Sequence, residues 1–264
     1  MNSRSWVVQG GTKRWIAKAV PAIRHSQFEA GLAVAAHVEA AGIPAGSCVP
    51  TRAGSTVVAL EDHVLALLSF VEGAPLTGRD EREQRIMGTV LAQVHQALAG
   101  SDVVGSERFH WIDPAAPHLG IRDWIRPAIE GALEVWDALL PTTLTWGLLH
   151  TDPAGEAFLL HRESGVCGLI DWDRALVGPF MYDVASAVMY GGGPGHADPL
   201  VEAYTAAGLL GPAEIERALS PMLRFRWAVQ ADYFARRIAT GDLTGIDDPS
   251  ANEDGLEDAR RGLR

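Results

Sequence analysis

The stretch from Leu148 to Asp183, LLHTDPAGEAFLLHRESGVCGLIDWDRALVGPFMYD, decides how the chain is read. A short apolar run, Leu144 to Leu149, leads into His150-Thr151-Asp152-Pro153-Ala154-Gly155, where proline and glycine mark a loop. Phe158 to His161 and Val166 to Ile170 are two further apolar runs, and Arg162-Glu163-Ser164-Gly165 between them reads as the turn of a β-hairpin. Such a hairpin returns the chain, and Asp171 with it, towards Asp152. Two carboxylates on adjacent loops, one placed to take a hydroxyl proton and one to hold a divalent cation, are what phosphoryl transfer requires, because its catalysis is mostly positioning and charge neutralisation. Magnesium suits the pair, since it accepts carboxylate and phosphate oxygens together. Either motif alone recurs as ordinary loop chemistry, whereas the two joined by a hairpin are far more specific. A metal-dependent phosphohydrolase using His150, Asp152, Asp171 and Asp173 would draw on the same side chains.

HTDPAGEAFLL followed by GLIDWDRALVGPFMYDVASA resembles the C-terminal half of the aminoglycoside phosphotransferase and choline kinase-like family. The resemblance implies an α+β, protein-kinase-like, two-lobed fold: a small antiparallel-sheet N-lobe over residues 1–73, and a larger, mainly helical catalytic and substrate lobe over residues 74–264. Carried over by position, it makes Asp152 the catalytic base, Asp171 the magnesium ligand, His150 a brace of the catalytic loop and Asp183 an anchor behind it. One departure stands out. Ala157 occupies the position where the family places a second metal-binding Asn, which leaves the neighbouring Glu156 as the candidate carboxylate. Asp173 reads as a capping or salt-bridging group rather than a ligand.

Upstream, Ser5 to Gln9 and Trp15 to Val20 flank Gly10-Gly11-Thr12-Lys13-Arg14 as a hairpin, with Lys18 inside its second strand. Taken alone, Lys18 is an edge-strand lysine that discourages aggregation; the resemblance makes it a nucleotide-phosphate contact paired with Glu29. A helix is expected from Ser26 to Ala41 on the spacing of Phe28, Leu32, Ala35 and Val38. Ser26-x-x-Glu29 is equally a capping box, so Glu29 carries two readings. Val57 to Leu60 and Val64 to Val71 read as strands, and the resemblance assigns Ser69, Phe70, Val71 and Glu72 to the hinge whose backbone meets adenine. The sheet is expected to be shortened, lacking the family's first strand and Gly-rich loop, with Asn2-Ser3-Arg4 as a remnant. Gly10-Gly11 opens no helix and fits neither nucleotide-loop fingerprint.

Further helices are expected over Asp80 to Ala99, Ile121 to Leu140, Tyr182 to Tyr190 and Ile215 to Thr240, with His95 as a packed residue. From Gly241 the chain is rich in Asp and Glu and reads as a solvated acidic tail. In aminoglycoside kinases acidic residues of this lobe grip substrate ammonium groups.

At 264 residues and 47% hydrophobic content the chain is long enough for a sizeable core. A net charge of −11 argues against a nucleic-acid partner and suits a cationic small molecule. Two cysteines, Cys48 and Cys167, and no zinc spacing argue against a disulfide scaffold, and the absence of a membrane span or export signal suggests the cytoplasm. The expected cofactors are ATP and Mg2+. Two functions remain open: an ATP-dependent kinase of a small-molecule hydroxyl, and a nucleotide- or metabolite-binding pseudokinase with a regulatory role. Oligomeric state leaves no mark on the sequence.

Overall fold

The computed structural model describes residues 3–101, 103, 107–109 and 112–264; Asn2 of the expected loop remnant lies outside them. Strands β1 (Arg4–Gly10) and β2 (Lys13–Pro21) form the expected hairpin, with Gly11 at φ 63° making a turn that glycine adopts without strain. A 3-10 turn, Ala22–Arg24, leads into α1 (His25–Ala40), and β3 (Val58–Ala59) and β4 (His63–Ser69) complete an antiparallel sheet of order β1-β2-β4-β3. Phe28 and Leu32 of α1 pack with Val20, Val64 and Ala66 into a small core under this sheet. Val34, Ala35 and Val38, further along the helix, belong to the main core. One helix therefore couples the sheet to the rest of the molecule.

The capping box is not formed. Arg24 occupies the N-cap position without a side-chain cap bond, and the Glu29 carboxylate instead accepts from Thr56 Oγ1 at 3.0 Å and lies 3.2 Å from His25 Nε2.

The larger part begins with β5 (Ala74–Pro75) and α2 (Glu81–Leu98), whose N-cap Asp80 accepts the Glu83 N–H at 2.9 Å. Then follow β6 (Glu107–Arg108), α3 (Ile125–Ala138), β7 (Trp146–Leu149), β8 (Phe158–Leu160), β9 (Cys167–Leu169), β10 (Leu176–Pro179) and α4 (Met181–Tyr190). Two three-stranded sheets, β6-β10-β7 and β5-β8-β9, carry the loops of interest at their ends. The β8-β9 hairpin aligns Phe158 with Leu169 and returns the chain to the end of β7.

Helices α5 (Asp198–Ala206), α6 (Pro212–Thr240) and α7 (Ser250–Gly262) close the fold. The acidic tail is thus corrected in part, because residues 250–262 are a helix packed on α6. Asn252, Leu256, Ala259 and Leu263 are buried along one face, while Asp254, Glu257 and Asp258 stay exposed on the other. Contact is close: a Cβ on Gly255 would lie 2.3 Å from the Phe234 ring, and one on Gly262 2.2 Å from the Trp227 ring. Among the described residues no helix is long and apolar enough to cross a membrane.

Candidate active site

The loop after β7 is fixed from behind by a buried carboxylate. Asp183, in the first turn of α4, accepts the His150 N–H at Oδ2 and the Thr151 N–H at Oδ1, both at 2.7 Å. His95 of α2, fully buried, bridges this carboxylate at 3.1 Å to the Tyr204 hydroxyl at 2.8 Å and stacks on Phe180. With two consecutive N–H groups held, Thr151 is carried to φ 77°, a left-handed conformation that a β-branched residue ordinarily avoids. The next side chain, Asp152, emerges with about half its surface exposed, 55%.

Asp152 Oδ1 accepts from the Tyr190 hydroxyl and from Arg226 Nη2 at 3.4 Å. Arg226 is itself held by Ser186 Oγ at 3.1 Å and Tyr190 Oη at 2.9 Å. Burial pulls the Arg226 pKa down, but Tyr182, Tyr190 and Asp152 around it more than compensate, so it stays cationic. Burial, with the Asp152 carboxylate behind it, pushes the Tyr190 phenol well above its ordinary value, and it remains a donor. Oδ2 of Asp152 has no hydrogen-bond partner among the described residues.

The second loop is tied to the first through one imidazole. His150 Nε2 donates to Ile170 O at 2.7 Å, which leaves Nδ1 to accept the Asp152 N–H at 3.3 Å. Trp172 packs edge-on to the His150 ring at 4.7 Å and donates Nε1–H to Leu169 O at 2.8 Å. Asp171 also adopts φ 77°. Lys18 of β2, only 7% exposed, donates to Asp171 Oδ1 and lies 3.5 Å from Asp173 Oδ1. Burial opposes ionisation of Asp171, but the Lys18 ammonium wins and holds the carboxyl down to about 2. Asp173, more deeply enclosed and facing Asp171, is raised despite the same lysine. Burial likewise pulls Lys18 down, and Asp173 and Asp171 together carry it above its ordinary value.

Asp152, Glu156, Asp171, Asp173, Arg174 and Tyr190 line one cavity of about 460 Å³. Lys18 joins this group through Asp171. Glu29 does not, and the expected Lys18–Glu29 pair is absent. Gly31 explains why: a Cβ there would lie 2.1 Å from Trp172 O, so this face of α1 is pressed onto the backbone beside Asp171. Glu29, two residues earlier and therefore nearly opposite on the helix, turns to solvent and Thr56. Ser69, Phe70, Val71 and Glu72 line a separate open depression with Pro44 and Val166. There the Ser69 N–H is committed to Ser47 O at 2.8 Å, Glu72 accepts from Arg14 Nη2 at 2.6 Å, and the same guanidinium covers the Phe70 ring. Ala157 is buried and offers no donor atom, while Glu156 is exposed in the cavity.

Sequence reasoning missed Tyr190 and Arg226, the two groups on the Asp152 carboxylate. A trace existed: Arg226, Gln230 and Tyr233 recur at helical spacing as polar groups along α6, and all three line the cavity.

This arrangement, with a loop carboxylate facing a lysine-bound carboxylate beneath a small antiparallel sheet, defines a protein-kinase-like fold. The chain belongs to the phosphotransferase enzyme family APH, whose sequence profile matches residues 1–219. It is similar to the homoserine kinase of Rhizobium etli (strain CIAT 652), 29% identical over 158 residues, 56% of this chain and 48% of that protein. It is also similar to the homoserine kinase of Methylorubrum populi, 26% identical over 193 residues, 68% of this chain and 60% of that protein. The chain spans about half the length of these curated relatives. Among solved structures, a microcompartment-associated aminopropanol kinase shares the fold at a TM-score of 0.77 and 16% identity, over 98% of this chain and 86% of that one. An amicoumacin kinase bound to AMP-PNP and Ca2+ does so at 0.73 and 16%, over 99% and 85%.

Proposed function

We propose that the protein is an ATP-dependent phosphotransferase that moves a γ-phosphoryl group onto a hydroxyl of a small molecule. The observation that carries this reading is the common cavity of Asp152, with one carboxylate oxygen unpartnered, and Asp171, with Lys18 beside it. Asp152 Oδ2 accepts the proton of the acceptor hydroxyl as that oxygen attacks phosphorus. The new O–P bond forms as the bond to the β-phosphate bridging oxygen breaks, and ADP leaves. Tyr190 and Arg226 hold the base by its other oxygen, so that Oδ2 points at the acceptor. Lys18 exchanges its carboxylate partner for nucleotide phosphate oxygens.

Asp171 and Glu156, both oxygen donors on this cavity, fit a hard cation that takes few protein carboxylates, and Mg2+ held there would neutralise phosphate charge. Residues 1–73 serve as the nucleotide lobe, with Ser69 to Glu72 as the adenine hinge, and residues 74–264 as the catalytic and acceptor lobe. The acidic residues of the cavity suit an amine on the acceptor, and the amino alcohol in one relative's name and the amino acid in another's point the same way. We place the activity in the cytoplasm.

A coupled assay of ADP release with Mg-ATP tests this across aminoglycosides, amino alcohols, hydroxy amino acids and sugars. The expected result is acceptor-dependent ADP release that Asp152→Asn abolishes while Mg-ATP binding persists. Turnover unchanged in that variant removes Asp152 from the mechanism. Buried Ala157, without an oxygen for a second metal contact, favours one other reading, nucleotide binding without transfer. Its signature is a Mg-ATP thermal shift with no phosphorylated acceptor.

A further inference from the structure

Three guanidinium groups meet near the catalytic cavity without a carboxylate of their own. Arg24 ends the 3-10 turn between β2 and α1, Arg174 follows Asp173, and Arg236 lies on α6. The close seat of Gly31 on Trp172 brings the start of α1 to the Asp173–Arg174 loop. Arg24 Nη1 is buried and finds no hydrogen-bond partner. Burial lowers the Arg24 pKa and the facing cations Arg174 and Arg236 lower it further, against partial relief from Asp173 and Tyr233. Asp173 is already engaged by Lys18 at 3.5 Å. In a chain with 33 acidic and 22 basic residues, partners for three arginines are not scarce. A buried guanidinium donor left unpaired is costly, and the planar fork of donors matches an oxyanion. Arg174 and Tyr233 both line the cavity that holds Asp152 and Asp171, so an oxyanion here belongs to whatever enters that cavity.

We propose that Arg24, Arg174 and Arg236 form an anion subsite that binds a carboxylate or phosphate group of the acceptor. Its link to an acceptor rests on the phosphotransferase reading. Glu156 and Asp258 line the same cavity and provide for an ammonium group. The acceptor is then zwitterionic rather than simply cationic: a hydroxylated molecule bearing an amine together with an anionic group.

Two matched pairs test this and separate the possible anions. L-Homoserine against 3-amino-1-propanol differs by a carboxylate, and glycerol 3-phosphate against glycerol differs by a phosphate. Each is compared for binding by calorimetry and for ADP release with Mg-ATP. The anionic member of at least one pair should bind at least about tenfold tighter, as expected for charge-assisted bonds to guanidinium. Arg24→Gln and Arg174→Gln should bring that ratio close to one, and Arg24→Lys should restore part of it. The subsite is refuted if neither anionic member binds better than its neutral partner, or if both glutamine variants keep the preference. Anion preference in binding without any ADP release keeps the subsite and refutes phosphoryl transfer; transfer without anion preference does the reverse.

Discussion

Two aspartates govern the two loops of the site, and they do so by different physics. Asp183 has no exposed surface and satisfies two consecutive backbone N–H groups and a buried imidazole. Asp171 is about half exposed and satisfies one lysine. The first removes freedom from the backbone that presents Asp152, and the second stores a carboxylate against a cation until a competing ligand arrives. The difference teaches where to expect rigidity and where to expect exchange: the base is built in, whereas the nucleotide side is held by a pair that must open.

The largest effect is expected from Asp183→Ala. It strands two buried N–H donors and the His95 ring, each loss costing about 1–3 kcal/mol, so unfolding free energy should fall by about 3 kcal/mol or more. Thermal denaturation should show a drop of roughly 10 °C for a chain of this size, and activity should go with it. A stable, active Asp183→Ala protein would break the comparison, because Asp183 would not be what holds the loop.

Asp152→Asn is the next largest, and its effect belongs to chemistry rather than folding. The turnover rate should fall by about 10²- to 10⁴-fold, the usual worth of a positioned base. The carboxylate is half exposed, so stability should change by about 1 kcal/mol or less. Steady-state kinetics beside a denaturation curve separates it from Asp183→Ala, which should fail in both.

How much of this was visible beforehand depends on distance along the chain. The β8-β9 hairpin and the Asp152 and Asp171 loops were legible because their signals are local: apolar runs broken by Pro153, Gly155 and Gly165. The partner of Lys18 was not, because it depends on how α1 is rotated, and that is set by Gly31 against Trp172, far away in sequence. Helix α7 was hidden by its own composition. Its acidic residues dominate the count, while the seam Asn252, Leu256, Ala259 and Leu263 is thin and begins with an asparagine. That asparagine is buried for a reason no pattern shows: its carboxamide oxygen accepts from Arg237 Nε at 2.8 Å. The Arg24 trio lies on three separate elements, so no spacing rule reaches it.

Lys18→Met probes the other side of the comparison. Without the ammonium, Asp171 loses the cation that keeps it ionised, and the Mg-ATP KM should rise about tenfold or more, the worth of one charged hydrogen bond. The pH dependence fixes the sign. Asp171 sits near 2 in the folded protein against an ordinary 3.8, so its contribution is present above about pH 4 and is lost as the pH falls towards 2. Asp173 is raised and acts in the opposite sense, so the effect is best read in an Asp173→Asn background. There, acid unfolding should show a loss of about 1 kcal/mol over that window, reduced by solvent screening of a half-exposed carboxylate. Lys18→Met should flatten it.

Tyr190→Phe is the smallest change and the sharpest test of how firmly the base is held. It removes one donor from Asp152 Oδ1 and one acceptor from Arg226 Nη2, but leaves the Arg226 contact to Asp152 and its bond to Ser186. One hydrogen bond of this kind is worth about 1 kcal/mol net, so the turnover rate should fall by roughly fivefold. If Tyr190 only orients the carboxylate, the acceptor KM should be little altered, because the lost bond is on the oxygen turned away from the acceptor. A rise in acceptor KM with the turnover rate unchanged would instead place Tyr190 in the acceptor pocket. The base would then be held by Arg226 alone, and the Asp152 side of the site would be as dependent on a single cation as the Asp171 side.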